Sequence, residues 1–173
     1  NDWGLLLPDF LFVTSVTDAD GNVINSTRAF ERHNIADQSY FRQQMKFDQL
    51  DSSQPWQDPY TKAWTLTFSR RINTSTGAFA GIVFTTVDAS YFVSGYEQSQ
   101  LGQLGVLGIL GTDGVFRVRR SGEQIVSGEP VNYNQLVPEN DELEELEELE
   151  ELEVRLQYNS WDQVKRYTVV NQL

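Results

Sequence analysis

Cysteine is absent from the 173 residues, so the chain can form no disulfide, no thiolate metal site and no cysteine nucleophile. This absence leaves the cellular compartment open and is compatible with an oxidising one. Histidine occurs once, at His33, and no Gly-x-Ser-x-Gly motif is present, so a Ser-His-acid triad would have to use that single residue. No apolar run approaches the roughly 20 residues of a membrane-spanning helix, and no basic-then-apolar signal opens the chain.

The motifs of phosphate-binding loops, dinucleotide-binding folds and zinc sites are also missing. Asp18, Asp20 and Asn22 have the first three ligand spacings of a calcium loop, but glycine occupies the fourth position and Ala29 the twelfth. This pattern favours a hairpin turn over a calcium site. The other carboxylates are scattered over turns, so no glycosidase pair can be argued. We therefore expect no metal site, no cofactor and no enzymatic activity.

Acidic charge is concentrated in residues 139–153, which hold 10 of the 25 acidic residues and no basic one. Without this tract the net charge of −12 falls to −2, and the sequence has no basic patch for nucleic acid. Leucine recurs there every third residue, a spacing that drifts around an α-helix and forms no coiled-coil heptad. A solvated acidic helix or linker is the favoured interpretation. The alternatives are a functional acidic tail, a calcium reservoir, or an artificial replacement for a natural helix.

Strands are predicted where apolar and polar residues alternate between turn signals. The predicted pairs are 9–17 with 23–25, 63–72 with 78–88, the two halves of 104–120, and the two halves of 154–173. Asp20-Gly21 and Asp113-Gly114 are typical of hairpin turns. Helices are predicted over 33–47, with Asp37 as the N-cap, and over 89–102. This order predicts antiparallel sheets with helices on a face, an α+β fold, with a second copy of the unit beginning near residue 100.

Polar and aromatic residues at the ends of these elements are the candidates for a binding site: Gln38, Tyr40, Phe41, Trp64, Ser69, Arg70, Arg71, Asp88 and Tyr96. Asp88 either caps the helix that follows it or points into a cavity above the sheet. Trp64 and Arg70 share one face of their strand, where an arginine beside aromatic residues could bind a carboxylate. A solvent-facing arginine at a strand end is the alternative. Phe41 is expected in the core.

Five segments, in chain order, resemble the double Cache, or PAS-like, extracytoplasmic sensor domains of bacteria: VTDADGNVINS, HNIADQSYF, WTLTFSRRI, GAFAGIVFTTVDASYF and LGILGTDGVFRVRR. The resemblance is greatest to the sensor domains of diguanylate cyclases, followed by those of histidine kinases, and it covers residues 8–120. It implies two PAS-like modules, each an antiparallel sheet of about five strands flanked by helices. The membrane-distal module would span 1–100. The membrane-proximal module would span 101–173 and would be incomplete, with the acidic tract in place of its helices.

The resemblance also implies a ligand site in the distal module. An Asp-Arg-x-Tyr-Phe motif of the family corresponds to residues 37–41, with Gln38 in place of the arginine that grips the ligand carboxylate in amino-acid-binding relatives. A neutral amide loses a charge-assisted bond worth about 1.5–3 kcal/mol, so an α-amino acid is disfavoured unless Arg70 takes over that role. Asp88 would suit a ligand amine, and Tyr40 would form a pocket wall. The predicted ligand-binding residues are Gln38, Tyr40, Trp64, Ser69, Arg70, Asp88 and Tyr96.

The function implied is that of a ligand-sensing domain of a membrane-bound signalling protein, of the diguanylate cyclase or two-component histidine kinase type. It would lie on the periplasmic or extracellular face of the bacterial inner membrane, held by transmembrane helices outside this chain. The expected partners are a polar or cationic small molecule, or a carboxylate bound through Arg70, and a second copy of the full protein. Nucleic acid is not an expected partner. The alternatives are a ligand-free dimerisation or protein-interaction module and, with less support, a hydrolase.

Overall fold

The computed structural model describes residues 12–59, 61–96, 101–132, 154–159 and 162–171. The acidic tract lies outside these described residues, and so do the predictions made for it. The chain divides into two compact units, unit 1 (residues 1–95) and unit 2 (residues 96–173). No helix in the described ranges is both long enough and apolar enough to span a membrane.

Unit 1 is built on a six-stranded antiparallel sheet. Its strands are β1 (Phe12–Thr17), β2 (Val23–Ser26), β3 (Asp51–Ser52), β4 (Trp56–Gln57), β5 (Trp64–Asn73) and β6 (Phe79–Asp88). The order across the sheet is β2-β1-β6-β5-β3, and β4 also pairs with β5. Strands β5 and β6 pair along almost their whole length, which confirms the predicted long hairpin.

The turn between β1 and β2 is organised by the carboxylate of Asp18. Its Oδ1 accepts hydrogen bonds from the N–H groups of Asp20 (3.0 Å) and Asn22 (2.9 Å), and its Oδ2 accepts one from the Asn22 amide (2.9 Å). These bonds, the Asn22 amide first among them, lower the pKa of Asp18. Gly21 adopts a φ of +83°, which favours glycine. The predicted hairpin turn is confirmed. Its hydrogen bonds occupy the Asp18 carboxylate, which in a calcium loop would have to bind the metal ion.

The first helix, α1, spans Ser39–Lys46 and begins six residues later than predicted. Residues 33–35 are instead hydrogen-bonded to the hairpin, because Val23 donates to the carbonyl of His33 (3.0 Å) and Ile35 donates to that of Gly21 (2.9 Å). The N-cap is Gln38, and its side chain makes no capping bond. The prediction of Asp37 as the cap was therefore wrong. That carboxylate pairs with the exposed Arg42 at 2.6 Å.

The second helix, α2, spans only Tyr91–Ser94. Gly95 and Tyr96 lie outside it, so the continuous helix predicted over 89–102 was wrong. Glycine is a poor helix former, and the break falls at Gly95. Residues 97–100 lie outside the described part of the chain.

The two helices pack on opposite faces of the sheet. On one face, Gln44 of α1 donates to Ser69, while on the other the ring of Phe92 lies 5.8 Å from that of Phe68. Because side chains alternate along a strand, each strand contributes every second residue to each face. We call these the α1 face and the α2 face. On β5 and β6, the α1 face is formed by Thr65, Thr67, Ser69, Arg71, Ile82, Phe84, Thr86 and Asp88.

The hydrophobic core of unit 1 lies between α1 and the α1 face. It consists of Val23, Ile35, Phe41, Ile82 and Phe84, and Tyr40, Ala36 and Phe79 pack against it. The expected core position of Phe41 is confirmed, because that side chain is only 1% exposed. The core anchors α1, and α1 in turn positions Tyr40, one of the residues predicted to bind a ligand.

Unit 2 contains a three-stranded antiparallel sheet and a separate two-stranded hairpin. The sheet has the order β7 (Val106–Leu110), β8 (Phe116–Ser121) and β9 (Gln124–Val126), and the hairpin pairs β10 (Arg155–Asn159) with β11 (Val164–Thr168). The predicted Asp113-Gly114 hairpin and the predicted last strand pair are confirmed. Strand β9 was not predicted. The described chain is thus mostly antiparallel sheet with few helices.

Candidate functional site

The α1 face carries a group of polar side chains next to the core. Thr65 lies opposite Asp88, and Thr67 lies opposite Thr86. Directly opposed residues in antiparallel strands point to the same face. Thr67 is fully buried, whereas Thr65, Thr86 and Asp88 are partly exposed. Hydroxyl and carboxylate groups of two neighbouring strands, β5 and β6, therefore lie side by side on this face.

Tyr40 brings an aromatic ring to this face from the first turn of α1. Its ring centroid lies 5.7 Å from that of Phe84, and the side chain is partly buried against the core. Burial raises the pKa of Tyr40 to about 12, so its phenol is neutral at physiological pH. A neutral phenol can both donate and accept a hydrogen bond. The role of Tyr40 as a pocket wall remains a prediction.

Asp88 ends β6 on the α1 face and also organises the start of α2. Its Oδ1 accepts hydrogen bonds from the backbone N–H (2.8 Å) and the hydroxyl (2.7 Å) of Ser90. Within the described residues, its Oδ2 has no hydrogen-bond partner. One oxygen of Asp88 therefore supports the start of α2, and the other makes no hydrogen bond to the described residues.

Trp56 and Gln44 contribute to the α1 face but were not predicted. The Trp56 indole donates to the hydroxyl of Thr67 at 3.2 Å, and its side chain is 39% exposed. The fully buried Gln44 amide donates to the carbonyl of Ser69 at 3.1 Å and lies 3.3 Å from the Ser69 hydroxyl. A large aromatic residue inside the turn-rich loop 51–59 was the one sequence signal that could have identified Trp56. No feature of the sequence identified Gln44 as a buried residue.

Trp64 and Arg70 lie on the α2 face, away from Ser69 and Asp88. Arg70 is opposite Val83, and its guanidinium pairs with Asp48 at 3.3 Å. The two residues do share a face of β5, as the alternation predicted. That face is the opposite one from Asp88, so the structure does not bring the predicted residues into one group. Sequence alone could not show which residues of β5 share a face with Asp88 of β6, because a shift of one residue in register exchanges the two faces.

Arg71 is the arginine on the α1 face. Its Nη1 donates to the carbonyl of Met45 at 3.1 Å, and its guanidinium lies 5.2 Å from the centre of the Phe79 ring. These contacts hold Arg71 against the end of α1. The last two predicted residues are both exposed: Gln38 is the N-cap of α1, and Tyr96 belongs to unit 2.

Comparison with known proteins identifies similar folds but no sequence family. No protein-family model matches the sequence, and no curated protein does. The extracellular domain of rpHK1S-Z16, a protein described as a histidine kinase, superimposes with a TM-score of 0.65 at 22% identity, covering 90% of this chain and 63% of that domain.

Two chemoreceptor ligand-binding domains are more distant. That of Pseudomonas fluorescens CtaA, in complex with L-serine, has a TM-score of 0.48 at 11% identity, covering 60% of this chain and 45% of its own. The ligand-binding domain of the Pseudomonas aeruginosa PAO1 amino acid chemoreceptor PctC, in complex with GABA, has a TM-score of 0.46 at 14% identity. The match covers 60% of this chain and 47% of that domain.

The similarity to the rpHK1S-Z16 domain establishes the fold. The chain shares the fold of that extracellular domain, and its described part is made largely of antiparallel sheet. It spans less than two thirds of that domain's length.

Proposed function

We propose that this chain is the extracytoplasmic sensing part of a membrane-bound bacterial signalling protein and that it binds a small polar molecule on the α1 face of unit 1. The observation that carries this proposal is that Tyr40, Trp56 and Asp88 all lie on that face and are partly exposed, with the buried Ser69 beneath α1 on the same face. The similarity to the extracellular domain of a protein described as a histidine kinase supports a sensing role rather than a catalytic one.

The charges on the α1 face favour a ligand that carries an amine. Asp88 has one oxygen available, and Asp51 lies opposite Ser69 at the edge of the same face. The nearby cation, Arg71, is held by the carbonyl of Met45. Arg70 lies on the other face, so it gives no support to a ligand carboxylate. A cationic or polar molecule therefore fits better than an acid.

The wider context follows from the resemblance to double Cache domains. Unit 1 would be the membrane-distal module and unit 2 the membrane-proximal one. Transmembrane helices outside this chain would anchor the full protein, a homodimer, in the bacterial inner membrane. The output domain would be a diguanylate cyclase or a histidine kinase. Signalling requires only that the ligand binds one of two conformations more tightly than the other.

A thermal-shift screen of amino acids, polyamines, carboxylates, purines and sugars tests the binding proposal. A ligand at about 100 times its dissociation constant stabilises the folded state by about 2.7 kcal/mol. For a chain of this size the melting temperature should rise by roughly 5–11 °C. We expect amines to produce the shift in the wild type and Asp88→Asn to abolish it.

The choice of variants separates ligand binding from folding. Asparagine at position 88 can still accept the bonds from Ser90, so α2 is kept while the negative charge is removed. Asp37→Asn makes the same change in charge at an exposed position and should leave the shift intact. A shift retained in Asp88→Asn would place the site elsewhere. No shift from any compound, with folded protein, would favour the ligand-free dimerisation module.

A further inference from the structure

The described part of unit 2 contains counterparts of the outer strands of unit 1 but no counterpart of its central strand. In unit 1, β6 lies between β1 and β5 and pairs with both. In unit 2, the β7–β8 hairpin has Asp113-Gly114 where the β1–β2 hairpin has Asp20-Gly21, and the pair β10–β11 follows as β3 and β5 do. The place that corresponds to β6 therefore lies between β7 and β11.

A cavity of about 590 Å³ lies at this place. One side of its wall includes Val106, Gly108 and Leu110 of β7, and the other side includes residues 166–170, at the end of β11 and just after it. Most of the wall is apolar. Protein interiors contain few voids larger than a water molecule, so a cavity of this volume has room for a substantial part of another molecule or segment.

Both strands that border the cavity are edge strands. Within the described residues, β7 pairs only with β8, and β11 pairs only with β10. An edge strand presents a row of backbone N–H and C=O groups that can pair with a further strand. A compact small molecule cannot pair with two such rows, whereas one strand between them can, as β6 does with β1 and β5. The cavity therefore fits a strand better than a compact ligand.

Arg166 connects the two sides of the cavity. Its Nε donates to the carbonyl of Leu104, which lies just before β7. Its guanidinium also pairs with both oxygens of Asp162, in the turn of the β10–β11 hairpin, at 2.9 and 2.6 Å. These contacts hold the hairpin beside the start of β7, although β7 and β11 form no ladder with each other in the described part of the chain.

The polypeptide leaves β11 next to the cavity. Strand β11 ends at Thr168, and Val169 and Val170 form part of the wall. In unit 1 the chain turns after β5, at residues 74–78, and returns as β6. The rpHK1S-Z16 domain, whose fold this chain shares, is longer, because the chain covers only 63% of it. A continuation of the polypeptide beyond β11 would thus reach the cavity after a single turn.

We propose that the segment that follows residue 173 in the full protein fills this cavity as the central strand of unit 2, antiparallel to β7 and β11. Its side chains are largely apolar, like those of Ile82, Phe84 and Val87 in β6, because the cavity wall is apolar. The inference rests on the proposed function in one respect, that the chain is part of a longer protein. It does not involve the α1 face, because every residue of the cavity wall belongs to unit 2.

Amide hydrogen exchange of two polypeptides tests this proposal. One is the chain of 173 residues, and the other continues it with about 20 of the protein's own next residues, enough for a hairpin loop and a strand. We expect every second amide of β7 and β11 to exchange at least about tenfold more slowly in the longer polypeptide, because those N–H groups gain a partner. The amides of β9, at the edge away from the cavity, should exchange equally in both.

Two valine substitutions test the location independently. Val169 belongs to the cavity wall and is 46% exposed, whereas Val154 is 59% exposed and is not part of the wall. Val169→Asp should lower the melting temperature of the longer polypeptide by at least about 3 °C more than that of the 173-residue chain, because the added strand covers the carboxylate. Val154→Asp should lower both melting temperatures by the same amount.

Equal exchange of β7 and β11 in the two folded polypeptides would overturn the proposal, and so would an equal effect of Val169→Asp on both. Protection in the 173-residue chain that rises with protein concentration would assign the cavity to a second copy instead. If the longer polypeptide does not fold, the added residues are supplied as a separate peptide, and unchanged exchange at saturating peptide has the same meaning.

The amine screen gives a separate result. A missing amine response together with slower exchange in the longer polypeptide would contradict only the site on the α1 face. An amine response that Asp88→Asn abolishes, together with equal exchange in the two polypeptides, would contradict only the added strand.

Discussion

At the residue scale, one buried amide connects α1 to the sheet. The Nε2 of Gln44 donates to the carbonyls of Gln49 (2.9 Å) and Ser69 (3.1 Å), while its Oε1 has no partner among the described residues. The helix that Gln44 fixes also holds Tyr40 over Phe84. The geometry of the candidate site therefore depends on a residue that would not itself contact the ligand.

Replacing Gln44 with leucine should reduce the free energy of unfolding by about 1–2 kcal/mol. Two carbonyls lose a donor, and the removal of the unpaired Oε1 offsets part of that cost. Gln43→Leu, in the same helix but with a partly exposed side chain, should change stability by less than about 0.5 kcal/mol. Urea titrations of both variants provide the measurement. Equal stabilities would show that the Gln44 hydrogen bonds do not hold α1 in place.

At the scale of elements, strands β1 and β6 approach so closely that one position in β6 must be glycine. Gly81 has a φ of +134°, and a Cβ atom there would lie 2.1 Å from the carbonyl oxygen of Thr17. Beside it, the backbone N–H of Ile82 donates to the Thr17 hydroxyl at 3.0 Å. Both the backbone conformation and the lack of space exclude a side chain at this position.

Gly81→Ala should therefore be far more destabilising than Gly77→Ala. Gly77 also has a positive φ, of +84°, but a methyl group added there would meet no atom of the described residues within 4 Å, its two chain neighbours apart. The conformational cost alone is about 1–2 kcal/mol, which we expect for Gly77→Ala. Gly81→Ala adds a collision with backbone and should cost at least about 3 kcal/mol or prevent folding. Comparable melting temperatures for the two variants would contradict the close approach of β1 and β6.

The elements that the sequence predicted correctly are those specified by local signals. The Asp-Gly turns and the alternation of apolar residues were enough to identify four hairpins. The start of α1 was misplaced because its boundary is set by distant residues. His33 and Ile35 hydrogen-bond to Val23 and Gly21, and no local pattern in 33–38 reveals that pairing.

At the scale of the whole molecule, the antiparallel sheets with few helices could be predicted, but which site residues share a face could not. Ser69 and Arg70 are adjacent in sequence and lie on opposite faces, and only the register of β5 against β6 decides which of them shares a face with Asp88. The same register favours an amine as the ligand, because it places Arg70 on the face opposite the candidate site.

The most direct test of a ligand site on the α1 face is methyl NMR of the threonines in unit 1 during titration with the strongest amine from the screen. Thr65, Thr67 and Thr86 lie on the α1 face, whereas Thr14 and Thr85 contact each other at 3.0 Å on the other face. We expect saturable shifts in the first three methyl groups and none in the other two. Shifts confined to Thr14 and Thr85, or to residues of unit 2, would contradict a site on the α1 face.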